Sequence, residues 1–241
     1  MWVLVVAVFA FGGGEEAVKD SCIACHQSND FLVTNKKLYT YFQDWRASVH
    51  GQEDIGCMDC HGGDNKTMDK DQAHGKDMET GTKASAVNFE NIPKTCGHCH
   101  DDQLNAYVQS EHFQHLKKEE DEGRGPNCVT CHGSLNSRKL NVNTVARVCE
   151  QCHNSETDNH PQIPDQATAL LNDFNTINGY RRFIMRRGED ERAFVSILDK
   201  DLAALSIDWH LFDLDRIGMQ TEKIMKTTKE KRSAILNKDK D

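Results

Sequence analysis

The stretch GPNCVTCHG, residues 125–133, sets two cysteines three positions apart, with a histidine directly behind the second, in a frame of Gly and Pro. The same pattern occurs five times: Cys22, Cys25 and His26 in CIACH; Cys57, Cys60 and His61 in CMDCH; Cys96, Cys99 and His100 in CGHCH; Cys128, Cys131 and His132 in CVTCH; Cys149, Cys152 and His153 in CEQCH. Together the five copies use all 10 cysteines of the chain.

Paired cysteines serve zinc, disulfide or thiol chemistry, or the thioether attachment of c-type haem. The histidine discriminates. With 12 His in 241 residues, one follows a given pair by chance about once in twenty times, so five in a row arise by chance on the order of once in a few million. Tetrahedral zinc gives no reason for it, since such sites combine two distant C-x-x-C pairs or one pair with H-x-x-x-H. Thioredoxin-like chemistry asks for one pair beside a βαβ pattern. Two thiols three apart on a helical turn can each add to one vinyl group of the same porphyrin, and the adjacent imidazole then reaches the iron. The spacing therefore predicts five covalently bound c-type haems, with His26, His61, His100, His132 and His153 as proximal iron ligands.

Composition fits this reading. Only 37% of the chain is hydrophobic and 7% aromatic, thin for a conventional core. The 132 residues from Cys22 to His153 leave about 26 per motif, so porphyrins must supply much of the interior. The expected fold is mainly α with little regular secondary structure: a multihaem domain over residues 20–160, wrapped on stacked haems, followed by a C-terminal helical pair over 161–241. The formal charge of -9, lowered further by haem propionates, argues against nucleic acid or an anionic bilayer surface and favours a redox partner with a basic docking surface. MWVLVVAVFAFGGG, residues 1–14, is apolar and then abruptly small. It is too short to span a bilayer and reads as a signal peptide h-region without its basic start, or as an interfacial anchor. Export to the periplasm or beyond agrees with c-haem maturation outside the cytoplasmic membrane.

An internal repeat runs through the motif region. CIACH is followed by YFQDWRASVHGQEDIGCMDCHGG, and CGHCH by AYVQSEHFQHLKKEEDEGRGPNCVTCHGS: a motif, a helical stretch ending in S-x-H, a loop, and a further motif. ASVHG before GCMDCHGGD, the later AHGKD, IPKTCGHCHDDQ, and SEHFQHL before PNCVTCHGS resemble the periplasmic and extracellular multihaem c-type cytochromes. These include the tetrahaem cytochromes that accept electrons in hydroxylamine oxidation and the decahaem conduits of metal reducers. The resemblance covers residues 20 to 155. It implies that the S-x-H histidine ligates a haem other than the next in sequence, and that closely packed haems pass electrons along a chain.

Seven histidines lie outside the motifs, and five haems need at most five of them. His50 and His112 are candidate sixth ligands from the repeat, and His74 from AHG. His115 qualifies because it shares a helical face with His112. His160, before Pro161, and His98, between the cysteines of its own motif, are poorer candidates. Met58, Met68 and Met78 are the methionines of this region, but the surplus of histidine favours bis-His coordination.

Beyond His160 the pattern becomes amphipathic. Pro164 and Asp165 open a helix that carries Leu170, Phe174, Ile177 and Ile184 and stops at Gly188. Leu198, Leu202, Leu205, Trp209 and Phe212 then form one stripe, beside a second of Ala203, Ile207, His210, Leu214 and Ile217, which predicts one long helix packed back on the first. His210, the strongly polar member of an apolar stripe, is the fifth candidate ligand. The carboxylate run KKEEDEG and the tail NKDKD read as solvated faces, and no dinucleotide fingerprint, P-loop or zinc-protease motif is present. The expected function is an exported pentahaem electron relay. One alternative is a reductase or oxidase of a small nitrogen or sulfur compound at a five-coordinate haem, where Tyr107 and Arg124 would be suggestive neighbours. Pentahaem nitrite reductases often carry lysine in place of a motif histidine, whereas every motif here ends in His. The other alternative is a subunit of a membrane quinol-oxidising complex or of a cytochrome filament.

Overall fold

The computed structural model describes residues 20–79, 81–118 and 125–238. The apolar segment 1–14, Arg124, most of the KKEEDEG run and the end of the tail lie outside them. Among the described residues 66% are helical and none is in a strand. The mainly α expectation holds; the expectation of little regular structure does not, since even in the motif region short helices cover about half of the described residues.

That region is a series of short helices. They are α1 Ser21–His26, α2 Asn29–Thr34, α3 Lys36–Ala47, α4 Val49–Gln52, α5 Cys57–His61, α6 Lys70–His74, α7 Ile92–Gly97, α8 Asp101–Tyr107, α9 Glu111–Lys117, α10 Cys128–His132 and α11 Val145–Cys149. Six of them are held at their starts by side-chain caps. Asp20, Asn35, Ser48, Asp69, Ser110 and Asn127 accept hydrogen bonds from backbone N–H groups of the first turn of α1, α3, α4, α6, α9 and α10, satisfying donors that a helix start leaves open. Behind His61 and His132, Gly62 and Gly133 take φ of 74° and 81°, a conformation that glycine adopts without steric penalty and that turns the chain sharply away from the motif. Apolar burial is sparse here: among the described residues of the motif region only Phe42, Ala106, Tyr107, Leu116 and Val145 are buried hydrophobics.

Among its described residues the C-terminal part buries nine such side chains and forms three long helices where a pair was expected: α12 Ile163–Met185, α13 Arg192–Asp208 and α14 Leu214–Lys238. The apolar stripe that reads as one helix across 198–217 breaks at Trp209–Leu211, a 3-10 turn, and Phe212 takes a left-handed conformation with φ 58°. Asp213 restarts the chain by accepting the Arg216 N–H at 2.9 Å. Periodicity survives this break because both flanking helices bury the same side; the reversal itself lies in two backbone angles. Ile177, Leu198 and Leu202 form one core cluster with Phe174, Phe194, Ile224 and Met225 around it, and Ile184, Val195 and Ile235 form another against Phe183 and Phe194. The bundle joins the motif region where α11 packs on α12, and where α8 meets α13 and the Trp209–Leu211 turn. No helix among the described residues is long and apolar enough to cross a membrane.

Ile177 has 0% exposure. Ile177→Ala removes three methyl-type carbons from a site walled by three helices, and should lower the unfolding free energy by about 2–5 kcal/mol, read by thermal or denaturant unfolding.

Candidate functional site

Each C-x-x-C-H is a single helical turn. Where the helix ends early, the turn still closes: His100 N–H donates to the Cys96 carbonyl at 3.0 Å and His153 N–H to the Cys149 carbonyl at 2.8 Å. No cysteine is disulfide-bonded. Burial raises most of these thiols, and neighbouring motifs add to it. Cys57 is pushed up to about 11 by burial, with Cys22 and Asp20 contributing, and Cys131 to about 11 by burial, with Cys149 and Cys152 contributing. Cys60 is raised by burial and by Cys96 beside it. Cys96 and Cys128 share a hydrogen bond that raises the first thiol and lowers the second. Consecutive motifs are therefore neighbours in space. Reactive redox thiols show the opposite trend, a depressed pKa in an electropositive setting.

The histidines are paired across the fold. His26 of the first motif faces His74 with ring centres 6.1 Å apart; His100 of the third faces His50 at 6.2 Å; His132 of the fourth faces His210 at 6.0 Å with planes inclined by 25°; His153 of the fifth faces His112 at 6.0 Å. Imidazoles that ligate one metal from opposite sides, with metal–nitrogen bonds of about 2.0 Å and about 1.1 Å from nitrogen to ring centre, stand about 6.2 Å apart. Hydrogen bonds set the tautomer. His132 Nδ1 bonds to the Arg138 carbonyl, His153 Nδ1 to the Asn159 carbonyl and His74 Nδ1 to the Lys70 carbonyl, each at 2.8 Å. A carbonyl only accepts, so Nδ1 carries the proton and Nε2 keeps its lone pair for a metal. Burial and neighbouring imidazoles lower His112 to about 4, burial first among the causes lowers His26 and His210, and burial alone lowers His61; all four are thereby favoured as neutral ligands.

Among the described residues no three His, Cys, Asp or Glu side chains converge as a bare metal ion requires. Two facing imidazoles match what a protein would contribute to a bis-His haem iron, since a porphyrin supplies the other four nitrogens. The donor set fits that group: one C-x-x-C pair and one facing imidazole pair for four of the five motifs. Of the candidate sixth ligands, the structure brings His50, His74, His112 and His210 to motif histidines. His115 is exposed one turn beyond His112 and is in none of these pairs. His160, exposed and with φ 48°, also lies near His153, with ring centres 6.4 Å apart against 6.0 Å for the less exposed His112, so the fifth motif histidine has two imidazoles beside it. His98 is exposed and unpaired in this sense, and Met58 and Met68 are exposed. His61 makes no ring contact with a second imidazole among the described residues.

A clamp that the sequence reading missed lies behind the S-x-H repeat. Ser48 caps α4 by accepting the Gly51 N–H at 3.1 Å and donates to the Trp45 carbonyl at 2.6 Å; Ser110 caps α9 by accepting the Phe113 N–H at 3.2 Å and donates to the Tyr107 carbonyl at 2.7 Å. Three residues before each serine, an aromatic ring reaches forward: Trp45 Nε1 donates to the Ile55 carbonyl at 3.0 Å, and the Tyr107 hydroxyl donates to the Pro126 carbonyl. Both acceptors stand two residues before a motif cysteine. The repeat is therefore aromatic-x-x-Ser-x-His, legible as WRASVH and YVQSEH once the ring is counted. Phe212 is the other unforeseen residue, its ring 4.3 Å from His112 and 6.4 Å from Tyr107.

No protein-family model matches the chain, and neither a curated protein nor a solved structure is significantly similar to it.

Tyr107→Phe keeps the ring but strips the Pro126 carbonyl of its donor. It should cost about 1–3 kcal/mol in denaturant unfolding, whereas Tyr39→Phe, whose hydroxyl makes no such bond, should leave stability unchanged.

Proposed function

We propose that this protein is an exported pentahaem c-type cytochrome that relays electrons. The observation that carries the reading is the facing imidazole pairs, four of them at 6.0–6.2 Å, each joining a C-x-x-C-H turn to a histidine supplied from elsewhere in the chain. Cys22 and Cys25, Cys57 and Cys60, Cys96 and Cys99, Cys128 and Cys131, and Cys149 and Cys152 would hold five haems by thioether bonds. The haem irons, once bound, supply one-electron exchange. The chain's residues fix where and at what potential that happens. His50, His74, His112 and His210 give a second basic nitrogen, which favours low potentials. The carbonyls of Lys70, Arg138 and Asn159 hold ring orientation and raise the basicity of His74, His132 and His153. Proximity of successive motifs, as between Cys57 and Cys22 or Cys131 and Cys149, supports a continuous path. The resemblance to multihaem cytochromes in ASVHG, AHGKD and CHGG points the same way, and the acidic motif region suits a partner with a basic docking surface.

Denaturing intact-mass measurement should show five haem additions per mature chain; free thiols or bound zinc would remove the reading. His210→Ala should convert one low-spin haem to high spin in electron paramagnetic resonance while the other four keep their spectra. Unchanged spectra would return His210 to an ordinary buried imidazole.

A second reading is favoured by His61, which has no facing imidazole among the described residues. A single five-coordinate haem at the second motif would bind small ligands and allow reductase or oxidase chemistry. Carbon monoxide should then bind the reduced protein once per chain; five low-spin irons and no binding would leave the relay alone.

A further inference from the structure

The net charge of -9 is unevenly spread. Residues 20–160 carry 22 acidic and 14 basic side chains, whereas residues 161–241 carry 14 of each. Within the bundle many of the basic groups lie at one end, where the C-terminal turns of α12 and α14 meet the start of α13 and its preceding Glu189, Asp190 and Glu191. Some are neutralised: Arg181 by Asp199, Arg192 by Glu189 at 2.7 Å, and Lys231 by the buried Glu191 at 2.5 Å. Others are not. Arg182 and Arg186 meet no carboxylate within ion-pair distance among the described residues, and the Arg232 guanidinium lies over aromatic rings, 5.1 Å from Tyr180 and 5.5 Å from Phe183. Stacking on a ring holds a guanidinium in place without cancelling its charge.

Arg182, Phe183 and Arg186 line a surface cavity of about 460 Å³. Met185, between them in sequence, is 51% exposed and lines a second surface cavity of about 580 Å³ with Arg181 and its partner Asp199, Arg192 and Lys200. The negative dipole end of a helix accounts for one or two cations in a last turn; it does not account for Arg232, which comes from α14 and lies over the same Phe183 ring that lines the cavity of Arg182 and Arg186.

We propose that this end of the bundle is a docking surface for an anionic phospholipid bilayer. Phosphate headgroups would meet Arg182, Arg186 and Arg232, and Met185 would enter the headgroup boundary, the combination of cations and apolar contact by which peripheral proteins hold a charged membrane. The acidic motif region, repelled by the same surface, is turned outward. The whole-chain charge, which argues against such a surface, averages these two faces and conceals the local one. A second copy of the chain, offering its acidic motif region to the same arginines, is the competing occupant.

The test uses the full haem-loaded chain with vesicles of phosphatidylcholine, alone or mixed with phosphatidylglycerol, in co-sedimentation. Binding is expected only to the mixed vesicles and should fall with added salt. Arg182→Glu/Arg186→Glu/Arg232→Glu should weaken it by about a hundredfold or more, with circular dichroism and haem absorption unchanged. Lys83→Glu/Lys94→Glu, in the motif region, should bind as the parent does. If the triple reversal does not fold, the neutral set Arg182→Gln/Arg186→Gln/Arg232→Gln should show a smaller loss in the same direction. Equal partition to both vesicle types, or parental binding by the triple variant, would overturn the proposal. So would self-association in analytical ultracentrifugation, abolished by the triple variant and unaccompanied by vesicle binding, which would assign the surface to a second copy.

Discussion

The contact on which the arrangement depends is that of one imidazole facing another across a gap of about 6 Å. Local structure can place only one member of each pair. A C-x-x-C-H turn orients its own histidine, because the closing hydrogen bond runs within the motif, but the facing ring comes from dozens of residues away. Four pairs therefore bring together distant parts of the chain in a region with few apolar ties. Two neutral imidazoles facing each other attract only weakly, so such a spacing has no rationale in packing alone; a metal between them would supply one.

The aromatic-x-x-Ser-x-His clamp shows how a short sequence carries such a tie. The serine starts a helix and fixes the histidine one residue into it. The ring three residues earlier reaches forward to the carbonyl two positions before the next motif, so the histidine and the motif are positioned by one unit. The loops between them differ, His50 to Cys57 being shorter than His112 to Cys128, yet the bond spans both. In each case the histidine faces a motif beyond the one its clamp holds: His50 reaches His100 and His112 reaches His153. Neighbouring repeats are thereby interlocked.

The C-terminal bundle adds a different kind of order. Its interior of Ile177, Leu198, Leu202 and Ile184 is a conventional hydrophobic core, able to support the left-handed Phe212 that the reversal requires; such a conformation in a non-glycine residue persists only where surroundings enforce it. That reversal sends His210 toward His132 and Phe212 toward His112. One turn thus couples a stable bundle to two motif centres.

The five C-x-x-C-H turns, the S-x-H repeat, the start and stop of α12 and the mainly α character were all legible in the sequence, because each rests on spacing within one turn or on a local cap. The candidacy of His50, His74, His112 and His210 followed from context. Which motif histidine each one faces did not, since pairing is decided by loop paths that no periodicity encodes. The third helix escaped notice because a 3-10 turn and one left-handed residue reverse the chain without interrupting its apolar stripe. Trp45 and Tyr107 read as ordinary aromatics until the carbonyls of Ile55 and Pro126 stood within reach. The basic end of the bundle was hidden by averaging: charge is additive along a sequence, but a surface is made by whichever helices end together, and only the tertiary structure brings Arg182, Arg186 and Arg232 to one place.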